Sequence, residues 1–322
     1  MAKKKLKIGI LFGGKSAEHE ISVISAQNII NALDKNKYQI FKIKINKEGK
    51  FNLNSFKNLD VVFPVLHGPF GEDGSMQGFL KILNLPFIGS GVLGSAVGMD
   101  KDVMKRLLKE AGIPICKFEV IKNKDEVSFE KIFKKLGLPM FVKPANLGSS
   151  VGIHKIKNKF DFKKSVKDAF QYDSKLIFEE NINGREIECS VLGNKNPTAS
   201  LPGEIISNAD FYSYNSKYKD NKSVCVIPAE LSKNTIKKIQ NIAVNVFKVL
   251  NCEGMGRVDF FLKKDGTILV NEINTIPGFT AISMYPKMWE VSALPLSKLL
   301  DKLIDLAIDR FKQEKKLKTS VK

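Results

Sequence analysis

Apolar runs alternate with amphipathic segments over the first part of the chain. KIGILFGG (7–14) is an apolar run ending in two glycines, and it predicts a buried strand followed by a turn. The residues that recur after it at helical spacing are Val23, Ala26, Ile30 and Leu33. LDVVFPVLHG (59–68) predicts a second buried strand. Because strands that alternate with helices form parallel sheets, residues 1–95 are expected to form an α/β domain.

The pattern changes further along the chain. MFVK (140–143) and KLIFEE (175–180) predict short strands, and EIECSVL (186–192) alternates strictly, as strands of an antiparallel sheet do. The C-terminal pattern predicts an amphipathic helix whose apolar face contains Leu296, Leu299, Leu300, Leu303 and Ala307. The rest of the chain is therefore expected to be α+β.

The length of 322 residues exceeds what one hydrophobic core usually supports, so two or three domains are expected. GSGVLGSAVGMDK (89–101) is rich in small residues, which predicts a flexible connection that contains a domain boundary. The resulting division is an N-terminal domain (1–95), a central subdomain (96–182), a C-terminal subdomain (183–310) with a long aromatic loop at 205–223, and a lysine-rich tail (311–322).

The charge balance is strongly basic but does not indicate nucleic acid. The net charge is +18, yet only four of the 52 basic residues are arginine, and the lysines are spread along the chain. Base recognition favours the arginine fork, so a solvated lysine-rich surface is the preferred interpretation.

The four cysteines form no CxxC pair, which is typical of a reducing cytosol. No apolar run reaches the roughly 18 residues of a membrane span, so a cytoplasmic protein without membrane insertion is expected.

Two glycine motifs match known signatures but lack the required context. GILFGGKS (9–16) fits the P-loop pattern, but its middle residues belong inside the predicted first strand and cannot curl around a phosphate. GSGVLG (89–94) fits the dinucleotide fingerprint, but no strand ending in an acid follows it. Neither motif is interpreted as a nucleotide site.

KPANLGSSVG (143–152) is a better candidate for a phosphate contact. Its glycines let the backbone approach a ligand, its hydroxyl and N–H groups donate to anion oxygens, and Lys143 supplies a positive charge. A polar surface turn is the alternative that this stretch alone leaves open.

GRVDFFLKKDGTILVNEIN (256–274) predicts a β-hairpin, because two β-type runs flank the turn dipeptide Asp265-Gly266. If these two residues form the turn, Asp259 lies directly opposite Glu272. Like charges in opposite positions destabilise a sheet, and a divalent cation between them would reverse that effect.

The same register places Arg257 opposite Asn274, on the face that carries the two acids. Carboxylate and amide oxygens are ligands that Mg²⁺ takes, usually together with substrate phosphates. An exposed acidic face with Arg257 as its salt-bridge partner is the alternative.

The phosphate loop and the hairpin together suggest ATP held between two sheets. There the strand acids Glu179 and Glu186 either accept hydrogen bonds from adenine and ribose or are ordinary exposed acids.

These stretches resemble the ATP-grasp superfamily and, within it, the D-alanine–D-alanine ligase family. The resemblance extends over nearly the whole chain, to about residue 308. The stretches that carry it are GGKSAEHEIS (13–22), LHGPFGEDGSMQG (66–78), GSGVLGSAVGMDK, VKPANLGSSVG, FYSYNSKY (211–218), GMGRVDF and NEINTIPGFT (271–280). It implies an α/β ATP-grasp fold, with an N-terminal parallel α/β (pre-ATP-grasp) domain and central and C-terminal α+β domains that sandwich ATP.

The resemblance also implies the residues that contact the nucleotide. It assigns the phosphates of ATP to Lys101, Lys143 and, from the lid loop, Lys217. It assigns adenine and ribose to Glu179, Glu180, Ile182 and Glu186. It assigns two Mg²⁺ ions, with Mn²⁺ as a possible substitute, to Asp259, Glu272 and Asn274.

A second group of residues is implied for the amino-acid substrates. Glu18 would bind the ammonium of the first D-alanine, with His67 beside that substrate. The residues that would join Glu18 in a hydrogen-bonded triad are Ser149 and Tyr218. The groups that would bind the developing oxyanion are Arg257 and the N–H of Gly278, and Ser283 would help to hold the carboxylate of the second D-alanine.

The implied activity is ATP-dependent ligation of two D-alanine molecules through an acyl phosphate, in the synthesis of peptidoglycan precursors by a cytoplasmic homodimer. A ligase forming D-Ala-D-lactate or D-Ala-D-Ser, or another ATP-grasp carboxylate–amine ligase, is the closest alternative. Tyr218 on the lid favours D-alanine as the acceptor. A non-catalytic nucleotide- or nucleic-acid-binding protein is the remote alternative, and the combined lysine and acid set argues against it.

Overall fold

The computed structural model describes residues 4–207, 223–318 and 320. Its strands are β1 (Leu6–Gly13), β2 (Tyr38–Ile45), β3 (Val61–Val65), β4 (Phe118–Ile121), β5 (Met140–Pro144), β6 (His154–Ile156), β7 (Leu176–Glu180), β8 (Gly184–Gly193), β9 (Thr198–Ala199), β10 (Gly203–Ser207), β11 (Ser223–Val226), β12 (Gly254–Lys263) and β13 (Ile268–Asn274). Its α-helices are α1 (His19–Ala32), α2 (Ser75–Ile82), α3 (Val92–Met99), α4 (Lys101–Glu110), α5 (Phe129–Leu136), α6 (Lys159–Ala169), α7 (Lys233–Val249), α8 (Met284–Val291) and α9 (Leu296–Glu314). None of the helices within these described ranges has the length and apolarity to cross a membrane.

The N-terminal sheet is parallel, as the alternation of apolar and amphipathic segments predicts. Its strand order is β2-β1-β3, and α1 packs against β1. Ile8 of β1 and Phe63 of β3 are fully buried, because both faces of the central strands are covered. β1 continues to Gly13, so the middle of the GILFGGKS stretch (9–16) lies in a strand and cannot wrap a phosphate.

The C-terminal helices complete the core of this N-terminal sheet. Leu299 and Leu303 of α9 belong to the same apolar cluster as Ile8 of β1. Arg310 on the same helix is buried, and its guanidinium donates to Phe87 O at 2.8 Å. α9 continues to Glu314, so the helix extends into the range 311–322 that is predicted as a tail.

The stretch 89–101 is not a flexible connection. It contains helix α3, and Lys101 begins α4. A methyl group on Gly94 would lie 2.4 Å from Asn251 O, so this helix packs directly on neighbouring backbone. The prediction of flexibility is wrong because the small residues here permit close packing. The domain boundaries themselves stay predictions.

Two further sheets contain antiparallel strands, as the alternating pattern predicts. One has the order β4-β7-β5-β6, with α5 and α6 packed against it. The other has the order β11-β10-β8-β12-β13, with β9 paired to β8 and α7 packed against its strands. The KPANLGSSVG stretch (143–152) joins β5 to β6, at the edge of the first of these sheets.

The β12–β13 hairpin has a longer turn than the sequence predicts. Lys263 N donates to Thr267 O at 2.9 Å, so the loop between them contains three residues rather than two. Gly266 has φ 83° and supplies the left-handed position that such a loop requires. A turn that is one residue longer shifts the expected register by one.

A β-bulge in the same hairpin restores the predicted pairs. Asn271 of β13 is the extra residue, since the register shifts between the pairs on either side of it. Asp259 therefore lies opposite Glu272, and Arg257 lies opposite Asn274, as predicted. Bulges are common beside functional sites, where they redirect side chains.

Candidate active site

A cleft of about 630 Å³ lies between the two antiparallel sheets. Its lining contains most of the residues predicted to contact the nucleotide and its Mg²⁺ ions, together with Ser149 of the predicted substrate triad. The former are Lys101, Lys143, Glu179, Glu180, Ile182, Glu186, Asp259 and Glu272. A second groove of about 580 Å³ lies beside α5 and α6, but lysine and phenylalanine side chains dominate its lining and it contains no predicted site residue. The cleft between the sheets is therefore the candidate active site.

Glu179 on β7 lies between two lysines on the phosphate side of the cleft. Lys143 Nζ donates to Glu179 Oε2 at 2.6 Å, and Lys105 Nζ lies 3.1 Å from Oε1. Burial alone would raise the pKa of Glu179, but the two ammonium groups outweigh burial and hold this pKa at about 2. The carboxylate is therefore charged and engaged by lysines. Its contact with adenine or ribose stays a prediction.

Lys101 connects the phosphate loop to the hairpin. It is the first residue of α4 and follows the N-cap Asp100. Its Nζ donates to Leu147 O at 2.6 Å and lies 3.6 Å from Glu272 Oε2. Lys101 thus lies between the loop 143–152 and the acid pair.

The loop 143–152 has a strained backbone. Ser149 and Ser150 have φ values of 52° and 60°, a left-handed conformation that costs L-residues about 1–2 kcal/mol each. Such strain often occurs in ligand-binding loops, and it favours a binding loop over a simple surface turn. A methyl group on Gly148 would lie 3.8 Å from Glu18 Oε2, so this loop also approaches the N-terminal domain.

Arg257 on β12 contacts both acids beside it. Its Nε and Nη2 donate to the two oxygens of Asp259, each at 2.8 Å, and Glu188 Oε2 lies 2.9 Å from Nε. Burial lowers the pKa of Arg257, but Asp259 and Glu188 outweigh it and keep the guanidinium charged. The salt-bridge alternative is therefore present in the structure. Asn274 completes the cluster by donating to Asp259 Oδ2 at 3.0 Å.

Glu188 is a site residue that the sequence motifs do not predict, although the strand pattern contains a weak signal for it. Glu186 and Glu188 occupy alternate positions of β8, so they lie on the same face of that strand. Glu188 pairs with Asp259 across the sheet, which places a second carboxylate, itself buried, beside Arg257. The alternation that predicts β8 therefore also places its two acids on one face.

Asp259, Glu272 and Asn274 fit a divalent cation by their chemistry. They supply hard oxygen donors, and the Glu272 side chain is 27% exposed toward the cleft. Across the described ranges, no group of three or more His, Cys, Asp or Glu residues could hold a metal by itself. Phosphate oxygens of a substrate would have to complete the coordination, which is common for Mg²⁺.

Glu18, His67 and Glu72 form a polar group beside this cluster. Glu72 Oε2 accepts from Gly68 N at 2.6 Å, and burial together with the neighbouring Glu18 raises the pKa of Glu72. Burial lowers the pKa of His67 despite the nearby Glu18 carboxylate. The buried Nε2 of His67 has no hydrogen-bond partner in the described part of the chain, so a small polar ligand could supply one.

Gly278 and Ser283 lie together at the start of α8. Ser283 Oγ accepts from Thr280 N at 2.9 Å, and a methyl group on Gly278 would lie 2.9 Å from the same Oγ. This close approach favours glycine at position 278, because a larger residue would displace the Ser283 side chain. Lys217, Tyr218 and most of the predicted lid lie outside the described residues.

The chain has a parallel α/β domain followed by two antiparallel sheets with a cleft between them. Lysines lie on one wall of this cleft and paired acids on the other. This combination defines an ATP-grasp enzyme. Residues 107–305 match the family described as D-ala D-ala ligase C-terminus, and residues 7–58 and 51–90 match D-ala D-ala ligase N-terminus. The chain therefore belongs to the D-alanine–D-alanine ligase family.

Individual relatives agree over the full length. A D-alanine–D-alanine ligase from Oceanobacillus iheyensis is 48% identical over 98% of this chain and 99% of its own. The structure of the D-alanine–D-alanine ligase from Coxiella burnetii has a TM-score of 0.88 and 42% identity, with 98% and 97% of the two chains covered. The VanG D-Ala:D-Ser ligase from Enterococcus faecalis has a TM-score of 0.86 and 35% identity, with 94% and 100% covered.

Proposed function

We propose that this enzyme joins two D-alanine molecules to D-alanyl-D-alanine and converts ATP to ADP and phosphate. The observation that carries the proposal is the arrangement around the cleft, in which Lys101 lies 3.6 Å from Glu272 and Arg257 lies beside Asp259. The identities of 48% and 42% to two relatives named D-alanine–D-alanine ligase, against 35% to the D-Ala:D-Ser ligase, favour D-alanine over D-serine as the second substrate.

The first step moves the γ-phosphoryl group of ATP onto the carboxylate of one D-alanine, because a carboxylate is a poor electrophile. Lys101 and Lys143 hold the phosphates, and phosphoryl transfer depends mainly on such positioning and charge neutralisation. Asp259, Glu272 and Asn274 would hold Mg²⁺, which when bound neutralises charge on the phosphoryl group. Glu18 binds the ammonium of this first D-alanine.

The second step is attack by the amine of another D-alanine on the acyl phosphate, with phosphate as the leaving group. Arg257 and the N–H of Gly278 stabilise the oxyanion of the tetrahedral intermediate, a contribution worth about 100- to 1000-fold in rate for one such donor. Ser283 holds the carboxylate of the second D-alanine. His67 Nε2, buried and unpartnered within the described residues, lies beside the first substrate.

Arg257 and a bound cation would share the Asp259 carboxylate. Each oxygen of Asp259 accepts one hydrogen bond from the guanidinium, and a carboxylate has about four lone-pair sites, so a cation would take a site that Arg257 leaves open. Glu188 lies 2.9 Å from Arg257 Nε and retains the guanidinium in place. Lys217 and Tyr218 of the lid are proposed to close the site over the γ-phosphate and Glu18, which keeps water from the acyl phosphate.

The experiment that tests this function identifies the product. Purified enzyme is incubated with MgATP and D-alanine, alone and in competition with D-serine or D-lactate, and products are separated by mass. D-alanyl-D-alanine is expected as the main product in every mixture. A product that contains mainly D-serine or D-lactate would assign the chain to the corresponding ligases instead.

The proposed biological setting rests on the family resemblance. The dipeptide is proposed to enter peptidoglycan precursors, and the enzyme is proposed to act in the cytoplasm, where ATP is available, as a homodimer. Sedimentation of the purified protein checks the oligomeric state, and a single species at the monomer mass of 36.0 kDa would contradict the dimer.

A further inference from the structure

Lys105 on α4 is a fully buried lysine to which no role has been assigned. Its side chain has 0% exposure, although the helix carries several other basic residues. Its Nζ lies 3.1 Å from Glu179 Oε1, 3.3 Å from Asn271 O and 3.3 Å from Cys116 Sγ. Lysine is almost never buried completely unless it is paired, so this ammonium has a specific partner in Glu179.

Glu179 connects this buried lysine to the cleft. Its other oxygen accepts from Lys143 Nζ at 2.6 Å, and Lys143 lines the cleft. Asn271, the bulged residue of β13, contacts both lysines, through its backbone oxygen for Lys105 and through Oδ1 at 3.4 Å for Lys143. The Glu179 carboxylate therefore links the buried Lys105 to Lys143, which lies on the nucleotide side of the cleft.

The charges of this group indicate why two lysines share one acid. If Lys143 turns from Glu179 toward a phosphate, a carboxylate with no other partner would be left buried and unpaired, which is strongly unfavourable. Such a carboxylate would compete with the phosphate for Lys143. Lys105 removes this competition, because it keeps Glu179 paired whether or not Lys143 stays.

We propose that Lys105 is a positioning residue for nucleotide binding, which holds the Glu179 carboxylate so that Lys143 is available to the phosphates of ATP. The inference rests on the proposed function, because it takes ATP as the ligand. Lys105 itself does not line the cleft and touches no substrate. Its effect is exerted through Glu179, and that coupling can be measured.

The test compares Lys105→Met, Glu179→Gln and the double variant for MgADP binding by titration calorimetry, with KM for D-alanine as a second readout. Lys105→Met is expected to weaken MgADP binding by about tenfold or more, while KM for D-alanine changes by less than about twofold. In the Glu179→Gln background, the same substitution is expected to change MgADP affinity by less than about twofold, since no carboxylate remains to compete. Lys109→Met on the exposed side of α4 is the matched control, with wild-type affinity expected.

Two results would overturn the inference. One is wild-type MgADP affinity in Lys105→Met. The other is a loss of about tenfold or more on adding Lys105→Met to Glu179→Gln, which would show that Lys105 acts independently of Glu179. If Lys105→Met alone fails to fold, the second comparison can still overturn the inference, because the double variant removes the whole buried pair. Wild-type protein that binds MgADP but forms no dipeptide would contradict the proposed function and leave this comparison valid.

Discussion

At the scale of single residues, the site is built from charges that pair across its walls. Sequence motifs predict Lys101, Lys143 and Glu272 as site residues, because each lies in a stretch with its own chemical signature. Lys105 has no such signature, since a lysine in a lysine-rich amphipathic helix is expected to face solvent. Its burial depends on Glu179, which lies far away in the sequence. Sequence reasoning therefore finds residues with local motifs and misses those defined by a distant partner.

Glu272→Ala is expected to lower D-alanine-dependent turnover to below about 1% of wild type, because the substitution removes an oxygen ligand for Mg²⁺. The fold should not lose stability, since the change also removes a like charge opposite Asp259. Turnover at saturating MgATP and the thermal midpoint are the measurements. Glu290→Ala, an exposed acid on α8, is the control. A Glu272→Ala enzyme with normal turnover would remove Glu272 from the metal site.

Glu179→Gln is expected to flatten the acid dependence of stability. The pKa of Glu179 is about 2 in the folded protein and 4.5 ordinarily, so its contribution is present above pH 4.5 and is lost as the pH falls toward 2. The difference of about 2.5 pH units corresponds to about 3 kcal/mol. Urea unfolding of both proteins between pH 6 and pH 2 measures it. Parallel pH profiles for the two proteins would contradict this account of the buried pair.

At the scale of elements, the hairpin shows how a sequence prediction can be correct for an incomplete reason. The pairs Asp259–Glu272 and Arg257–Asn274 are confirmed, yet the turn contains one more residue than Asp265-Gly266 alone. The bulge at Asn271 compensates for it. A bulge depends on contacts of the side chain and backbone with other elements, here with the two buried lysines, so no local pattern predicts it.

Helix α3 supports a prediction about close packing. Gly94→Ala is expected to lower the free energy of unfolding by about 1–3 kcal/mol, because the new methyl group would lie 2.4 Å from Asn251 O, a backbone atom. Gly78→Ala in α2 is the matched control. Its methyl group meets nothing closer than 4.0 Å, so the better helix propensity of alanine should stabilise the protein by about 0.5–1 kcal/mol. Chemical denaturation measures both, and equal effects would contradict the packing of α3.

At the scale of the whole molecule, the C-terminal helix α9 packs against the N-terminal sheet. The sequence predicts its apolar face, but the basic residue Arg310 would ordinarily be assigned to the exposed side. In the structure its guanidinium donates to Gly89 O at 2.5 Å and Phe87 O at 2.8 Å, and lies over the Phe87 ring. These acceptors are backbone carbonyls far from α9 in the chain, which the sequence of α9 does not reveal.

Arg310→Met is expected to lower the free energy of unfolding by about 2–4 kcal/mol, because it leaves two buried carbonyls without their charged donor. Arg106→Met is the control, since that side chain is 62% exposed and its ion pair with Asp102 is worth about 0–1 kcal/mol. Denaturant titration of the two variants gives the comparison. Equal stabilities would show that Arg310 does not hold α9 against the N-terminal sheet.

The central claim is that lysines and paired acids from two facing sheets hold ATP so that it activates D-alanine. The most direct measurement is phosphate release from MgATP, with and without D-alanine, counted against dipeptide formed. One phosphate per dipeptide bond is predicted, with little release when D-alanine is absent or replaced by L-alanine. Phosphate release that is independent of D-alanine, or no release at any concentration of D-alanine and MgATP, would contradict the account.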